Sequence, residues 1–208
     1  MNSKYSKYCL VSSICGFSSI FIYLLLAIIS WYLYPNTFSP VQNWLSDLAH
    51  QGLNPAGSIY YRLAGIIPGI LIILFYLFIY KLIEDNRKKF KVYTWLVKTF
   101  GMLAGFSFFM TGIFPINDLA IHSLWSKIMF ISFGTSIIFT GIIWLYKKGT
   151  KILSVVAFIT AIVDISSGIL NKIYLLEWIV VSLIIIYITI VSVRNIMLFS
   201  KNSKQIIT

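Results

Sequence analysis

Leu63–Tyr80 reads LAGIIPGILIILFYLFIY, a run of 18 residues without a charge, bounded by Arg62 on one side and Lys81 on the other. A helix needs about 20 mainly apolar residues to cross the hydrocarbon core of a bilayer, so this run predicts a membrane span. Working outward in both directions, the same test finds five more. The six expected spans are 8–34, 57–81, 93–114, 121–146, 152–171 and 175–197. The chain as a whole is 59% hydrophobic and only 11% charged. Soluble domains carry about 25% charged residues, so a soluble fold is excluded, and so is intrinsic disorder. The expected fold is an all-α polytopic membrane helix bundle: one six-span domain over residues 1–208.

The formal net charge of +11 would suggest nucleic acid in a soluble protein. Here placement matters more than the sum. Of the 17 Lys and Arg residues, 14 lie at alternate ends of the apolar segments, among them Lys4, Lys7, Arg87, Lys88, Lys147, Lys148, Arg194 and Lys201. The positive-inside rule makes that side cytoplasmic and puts both termini there, in the cell membrane. The expected partners are therefore membrane lipids and not nucleic acid. No protein partner is legible, and a homo-oligomer or an accessory subunit both fit the sequence. The first apolar run is longer than the 7–15 residues of a signal-peptide core, which makes it a retained helix.

Two segments carry small-residue spacing, Gly65-x-x-x-Gly69 with Pro68 inside it and Gly101-x-x-x-Gly105. Such spacing lets helix backbones approach closely, and packing within one chain is the expected use. Pro68 predicts a bend. Cys9 and Cys15 form no metal or redox motif and are expected to be free thiols.

Polar residues concentrate on the outer side. The first outer connection, 35–56, holds Ser39-Pro40 followed by VQNWLSDLAH, which predicts a short interfacial helix capped by Ser39 with Pro40 in its first turn. The second runs Pro115-Ile116-Asn117-Asp118-Leu119-Ala120-Ile121-His122. Both connections place an acid one helical turn before a histidine: Asp47 with His50 and Asp118 with His122. Span five carries Asp164, with Ser167, Gly168 and Asn171 on the same face, and Arg62 is its natural counter-ion. A buried carboxylate costs several kcal/mol unless paired or protonated, so this face is expected to turn inward. Lys127 and Glu177 belong to the same outer zone.

These residues admit several readings. In the first, Ser46, Asp47, His50, Asn54, Arg62, Asp118, His122, Asp164 and Asn171 line an outward-facing pocket for a lipid headgroup or small ligand, with Arg62 on phosphate. In the second, Asp47, His50, Asp118 and His122 bind a divalent metal such as zinc and activate water, as in a metal-dependent membrane hydrolase acting on lipid. A plainer reading leaves Asp118 and His122 as solvated first-turn residues, with Asp47 and His50 facing water. Ser46 lacks the Gly-x-Ser-x-Gly elbow of a hydrolase nucleophile. A small transporter is the third class, although the ionisable groups within the membrane lie only in the outer half. No reaction and no cofactor is identified from the residues alone.

The loop Asn43-Trp44-Leu45-Ser46-Asp47-Leu48 with Gly52-Leu53-Asn54-Pro55, then Tyr61-Arg62-Leu63-Ala64-Gly65, resembles the DUF998 family. So does Gly112-Ile113-Phe114-Pro115 followed by Asp118 and His122. The resemblance covers nearly the whole chain and implies a six-helix membrane unit. It singles out Ser46, Asn54, Pro55, Arg62, Pro115, Asp118 and His122, and the family name itself denotes an unassigned function. A more distant similarity is to the Frag1/DRAM/Sfk1 membrane proteins, which are associated with lipid handling.

Overall fold

A computed structural model describes residues 3–79, 88–170 and 173–207. It holds six long helices: α1 (Ser3–Tyr32), α2 (Ser58–Phe78), α3 (Lys88–Ile113), α4 (Leu119–Leu145), α5 (Lys151–Leu170) and α6 (Tyr174–Ile207). All six are long and apolar enough to cross a membrane, and no strand occurs among the described residues. The shortest, the 20 residues of α5, reaches about 30 Å at about 1.5 Å per residue, the thickness of a hydrocarbon core. α6 continues past the expected end at 197 to Ile207. Its polar end keeps helical backbone bonds where the apolar run has stopped. Likewise α3 begins at Lys88, ahead of the expected start at 93, and residues 80–87 lie outside the described ones, as does Asn171.

Each helix packs on its neighbours in sequence, and α1 packs on α6, so the six close into a ring. The seam between α5 and α6 is the sparsest of these contacts. Apolar side chains also face outward in quantity, with Phe21, Ile162 and Ile169 each about two-thirds exposed (67%, 65% and 67%). In water such a girdle would associate; in a bilayer it is the wetted surface.

The tightest approach is between α2 and α3. A methyl placed on Gly69 would lie 2.6 Å from the Phe109 backbone nitrogen and 2.9 Å from the Gly105 carbonyl oxygen. Glycine there lets the two backbones touch, which is the intrachain packing that the small-residue spacing predicts. Gly101 serves a different neighbour: its missing side chain makes room for the buried Tyr76 ring. α2 runs unbroken from Ser58 to Phe78 through Pro68.

The outer connection differs from the expected helix. The Ser39 carbonyl accepts from the Gln42 and Asn43 amides, and Asn43 Oδ1 accepts from the Ser39 amide, closing a turn on itself. Local side-chain bonds of this kind compete with a helix. Trp44 is then extended (φ −65°, ψ 145°), and a 3-10 helix covers only Leu45–Ala49. Pro40 therefore opens a turn and not a helix. The extended Trp44 sets its ring 4.7 Å from Tyr174.

That connection folds over the mouth of the ring as a lid tied to the helices and the second outer connection. Asn54, fully buried, donates through Nδ2 to the Ser30 carbonyl (3.1 Å), Ser30 Oγ (3.0 Å) and the Leu48 carbonyl (2.9 Å), tying the loop to the end of α1. Trp178 Nε1 donates to the Asn43 carbonyl, tying it to α6. The Gln51 amide donates to Asn117 Oδ1, joining the two outer connections. Beneath the lid Phe38, Leu45, Leu48, Tyr23 and Ala64 form a small apolar cluster separate from the main core.

Candidate functional site

The space under the lid is a cavity inside the ring. It is partly open to the surroundings and bounded by α1, α2, α3, α4, α6 and the 3-10 helix. Its deep wall is hydrocarbon: Ile20, Ile72, Met129, Phe133, Ile184 and Ile188. Its roof is polar: Ser46, Tyr61, His122, Ser126 and Glu177, with Tyr23 and Thr111 below. A second compartment, lined by Trp44, Leu119, Ser123, Ser167 and Ile173, shares Ser46, His122, Ser126, Phe130 and Glu177 with the first. The pair therefore forms a single polar vestibule above an apolar chamber. Ligand sites commonly have this mixture, mostly apolar with a few placed polar groups.

His122 is fixed by its neighbour one loop back. Its Nδ1 lies 2.8 Å from the Phe114 carbonyl oxygen. A carbonyl only accepts, so Nδ1 carries the hydrogen, and the Thr111 carbonyl is a second backbone partner of the ring. His122 is 7% exposed and lines both compartments. Four residues on, one helical turn, Ser126 follows on the same face of α4. Glu177, in the first turn of α6, accepts from the Leu45 amide at 2.7 Å and so holds the 3-10 helix over the cavity. Tyr61 and Tyr23 face each other with their hydroxyls 3.3 Å apart.

The other residues singled out by sequence sit elsewhere. Asp47 accepts from the Trp44 amide at 2.9 Å and starts the 3-10 helix. Burial pushes its carboxyl above the ordinary value, against the opposing pull of the Trp44 N–H and the His50 ring. His50 Nδ1 accepts from the Gly52 and Leu53 amides, both at 3.1 Å, and shapes its own turn. Asn54 is the lid's anchor. Arg62 Nε donates to the Gly112 carbonyl at 3.2 Å. Asp118 is exposed and caps α4, accepting from the Ile121 amide. Asp164 is fully buried, and neither of its oxygens has a hydrogen-bond partner, so the expected pair with Arg62 does not form.

Of the nine residues expected to share a pocket, the structure brings Ser46 and His122 together in the cavity. Among the described residues no three His, Cys, Asp or Glu side chains gather in one group. Sequence reasoning put Glu177 in the outer zone but gave it no role. The signal for it was present: it is the only acid of the last apolar run. Ser126, Tyr23, Tyr61 and Thr111 have no such signal, since isolated hydroxyls occur throughout membrane helices.

The sequence model of the family described as "Protein of unknown function (DUF998)" matches residues 18–194. The chain belongs to that family. No curated protein and no solved structure matches it.

Proposed function

We propose that this member of the DUF998 family, a multi-pass membrane protein, binds one amphiphile or lipid inside its helix ring, with the headgroup in the vestibule and the acyl portion in the chamber. The observation that carries the proposal is the division of the cavity into an apolar floor and a polar roof under a pinned lid. A soluble polar ligand would leave the floor unmatched, and a plain hydrocarbon would leave the roof unpaired, at a cost of about 1–3 kcal/mol for each unsatisfied group.

The roof also has a chemical bias. Glu177 accepts hydrogen bonds, and the Ser46, Ser126 and Tyr61 hydroxyls can give or take them. Arg62 bonds to the Gly112 carbonyl and does not line the cavity. A headgroup rich in hydroxyl or amine donors suits that roof better than an anionic phosphate. The basic residues at the other end of the bundle support an orientation with both termini cytoplasmic, and the vestibule then faces outward.

Native mass spectrometry of the protein released in mild detergent tests this reading. The wild-type chain should retain one amphiphile, and Ile184→Trp, which fills the chamber, should lose it while still unfolding in one cooperative transition. Retention of the same molecule at the same occupancy in both proteins would refute the pocket.

A further inference from the structure

Asp164 remains outside the cavity chemistry, and its surroundings are unusual. It lies on α5 at 0% exposure, with both carboxyl oxygens unpartnered. One turn toward the outer end, Ser167 is 6% exposed, its hydroxyl also unpartnered, and it lines the outer compartment beside His122 and Glu177. From α2, the buried Tyr76 hydroxyl lies within electrostatic range of Asp164 and interacts with the Ser136 and Tyr187 hydroxyls. Buried polar groups almost always find partners, and two orphaned side chains one turn apart need a physical account. An ionisable residue inside a membrane bundle by default marks a path for ions or protons.

We propose that Asp164 is a proton-exchange site, loaded and unloaded from the outer compartment past Ser167. The proposal does not depend on the amphiphile. A proton needs a single acceptor, which Asp164 supplies. A hard metal cation such as Ca²⁺ needs about six or more oxygens, and beside Gly168 the α4 side chains in contact, Phe130 and Ile131, supply none. The titratable groups facing the site from the helices around it are Tyr76 on α2 and, beyond it, Tyr187 on α6, whose hydroxyl donates to Thr140 Oγ1 at 2.9 Å. On α4 the nearest is Lys127, whose carbonyl lies near Gly168 and whose side chain is exposed. Among the described residues no cation is placed to hold the carboxylate permanently charged.

Dicyclohexylcarbodiimide provides the test on the full chain in mild detergent. The carboxylic acid adds across a C=N bond of the reagent, its proton going to nitrogen, and the adduct rearranges to a stable N-acylurea that peptide mass spectrometry locates. The proposal expects label on Asp164, falling several-fold as pH rises from acidic to alkaline, and unchanged when Na⁺ replaces K⁺. Asp164→Asn should carry no label at that peptide, and Ser167→Leu, which obstructs the route, should slow labelling several-fold. Three results would overturn it: no label on Asp164 in folded wild-type protein, label that does not change with pH, or protection by Na⁺, which would make the site a metal-cation site. All three are read on the wild-type chain, so they stand even if a variant fails to fold.

Discussion

Asn54→Asp changes one atom group in the lid's anchor and leaves its shape intact. In the wild type, the two Nδ2 hydrogens serve three acceptors at 2.9–3.1 Å, and Oδ1 accepts from the Gly57 amide at 3.1 Å. The substitution keeps the Oδ1 bond but turns the donor into an acceptor facing the Ser30 and Leu48 carbonyls. Two hydrogen bonds at about 1 kcal/mol each are lost, and buried acceptors are left opposed, which brings the total to about 3–5 kcal/mol. Protonation restores one donor, so the deficit should narrow at acid pH. Asn117→Asp is the matched control: Asn117 is exposed and works only through its oxygen, so its cost should stay within about 0.5 kcal/mol. Cys9 and Cys15 are buried cysteines outside any disulfide on α1, the helix that Asn54 ties down, so a thiol-reactive fluorogenic dye reports unfolding along a denaturant titration. If Asn54→Asp unfolds at the same midpoint as Asn117→Asp, the lid is not anchored by that amide and the reasoning is wrong.

Three further outcomes are open to the same titration. Gly69→Ala should cost about 1–3 kcal/mol, because its methyl meets backbone on α3 and the helices must part. Gly141→Ala, whose methyl meets only side chains at 3.1–3.3 Å, should cost less, and equal costs would contradict the close α2–α3 seam. Tyr187→Phe removes a buried 2.9 Å bond to Thr140 and should cost about 1 kcal/mol, and no change would show that the bond contributes nothing. Asp47 has a carboxyl raised by burial, so the folded state holds its proton more tightly than the unfolded one. Its contribution is therefore full at acid pH and is lost as pH rises from the ordinary carboxylate range through the raised value. Asp47→Asn, which keeps an acceptor for the Trp44 amide, should flatten that part of the stability–pH curve; an unchanged slope would assign it to other groups.

Residue types alone decided the six spans. Over about 20 residues, the cost of burying a polar chain in hydrocarbon outweighs any local preference, so composition within a window is sufficient. The basic residues mark the ends of those spans, and the Gly65 and Gly69 spacing was readable as helix packing. Where local bonds compete on equal terms, the sequence was ambiguous. Ser39-Pro40 carries the marks of a helix start, yet a bond from Asn43 back to Ser39 closes a turn first.

The site depended on the tertiary fold for another reason. Asp47, His50, Asn54, Asp118 and His122 look alike in sequence, as polar residues near outer turns. Whether each reaches a cavity or satisfies its own backbone depends on which amides and carbonyls the folded loops leave unpaired. Asn54 met two carbonyls on α1 and the loop, and His50 met two amides of its own turn. His122 met the Phe114 carbonyl eight residues back, and Glu177 crossed 132 positions of sequence to hold Leu45. The sequence by itself thus determined that the chain spans a membrane six times, because that follows from additive hydrophobicity. Only the tertiary structure decided that Glu177, Ser46 and His122 roof one chamber and that Asp164 stands apart from Arg62. Those facts follow from pairings between distant polar groups, and no local window contains them.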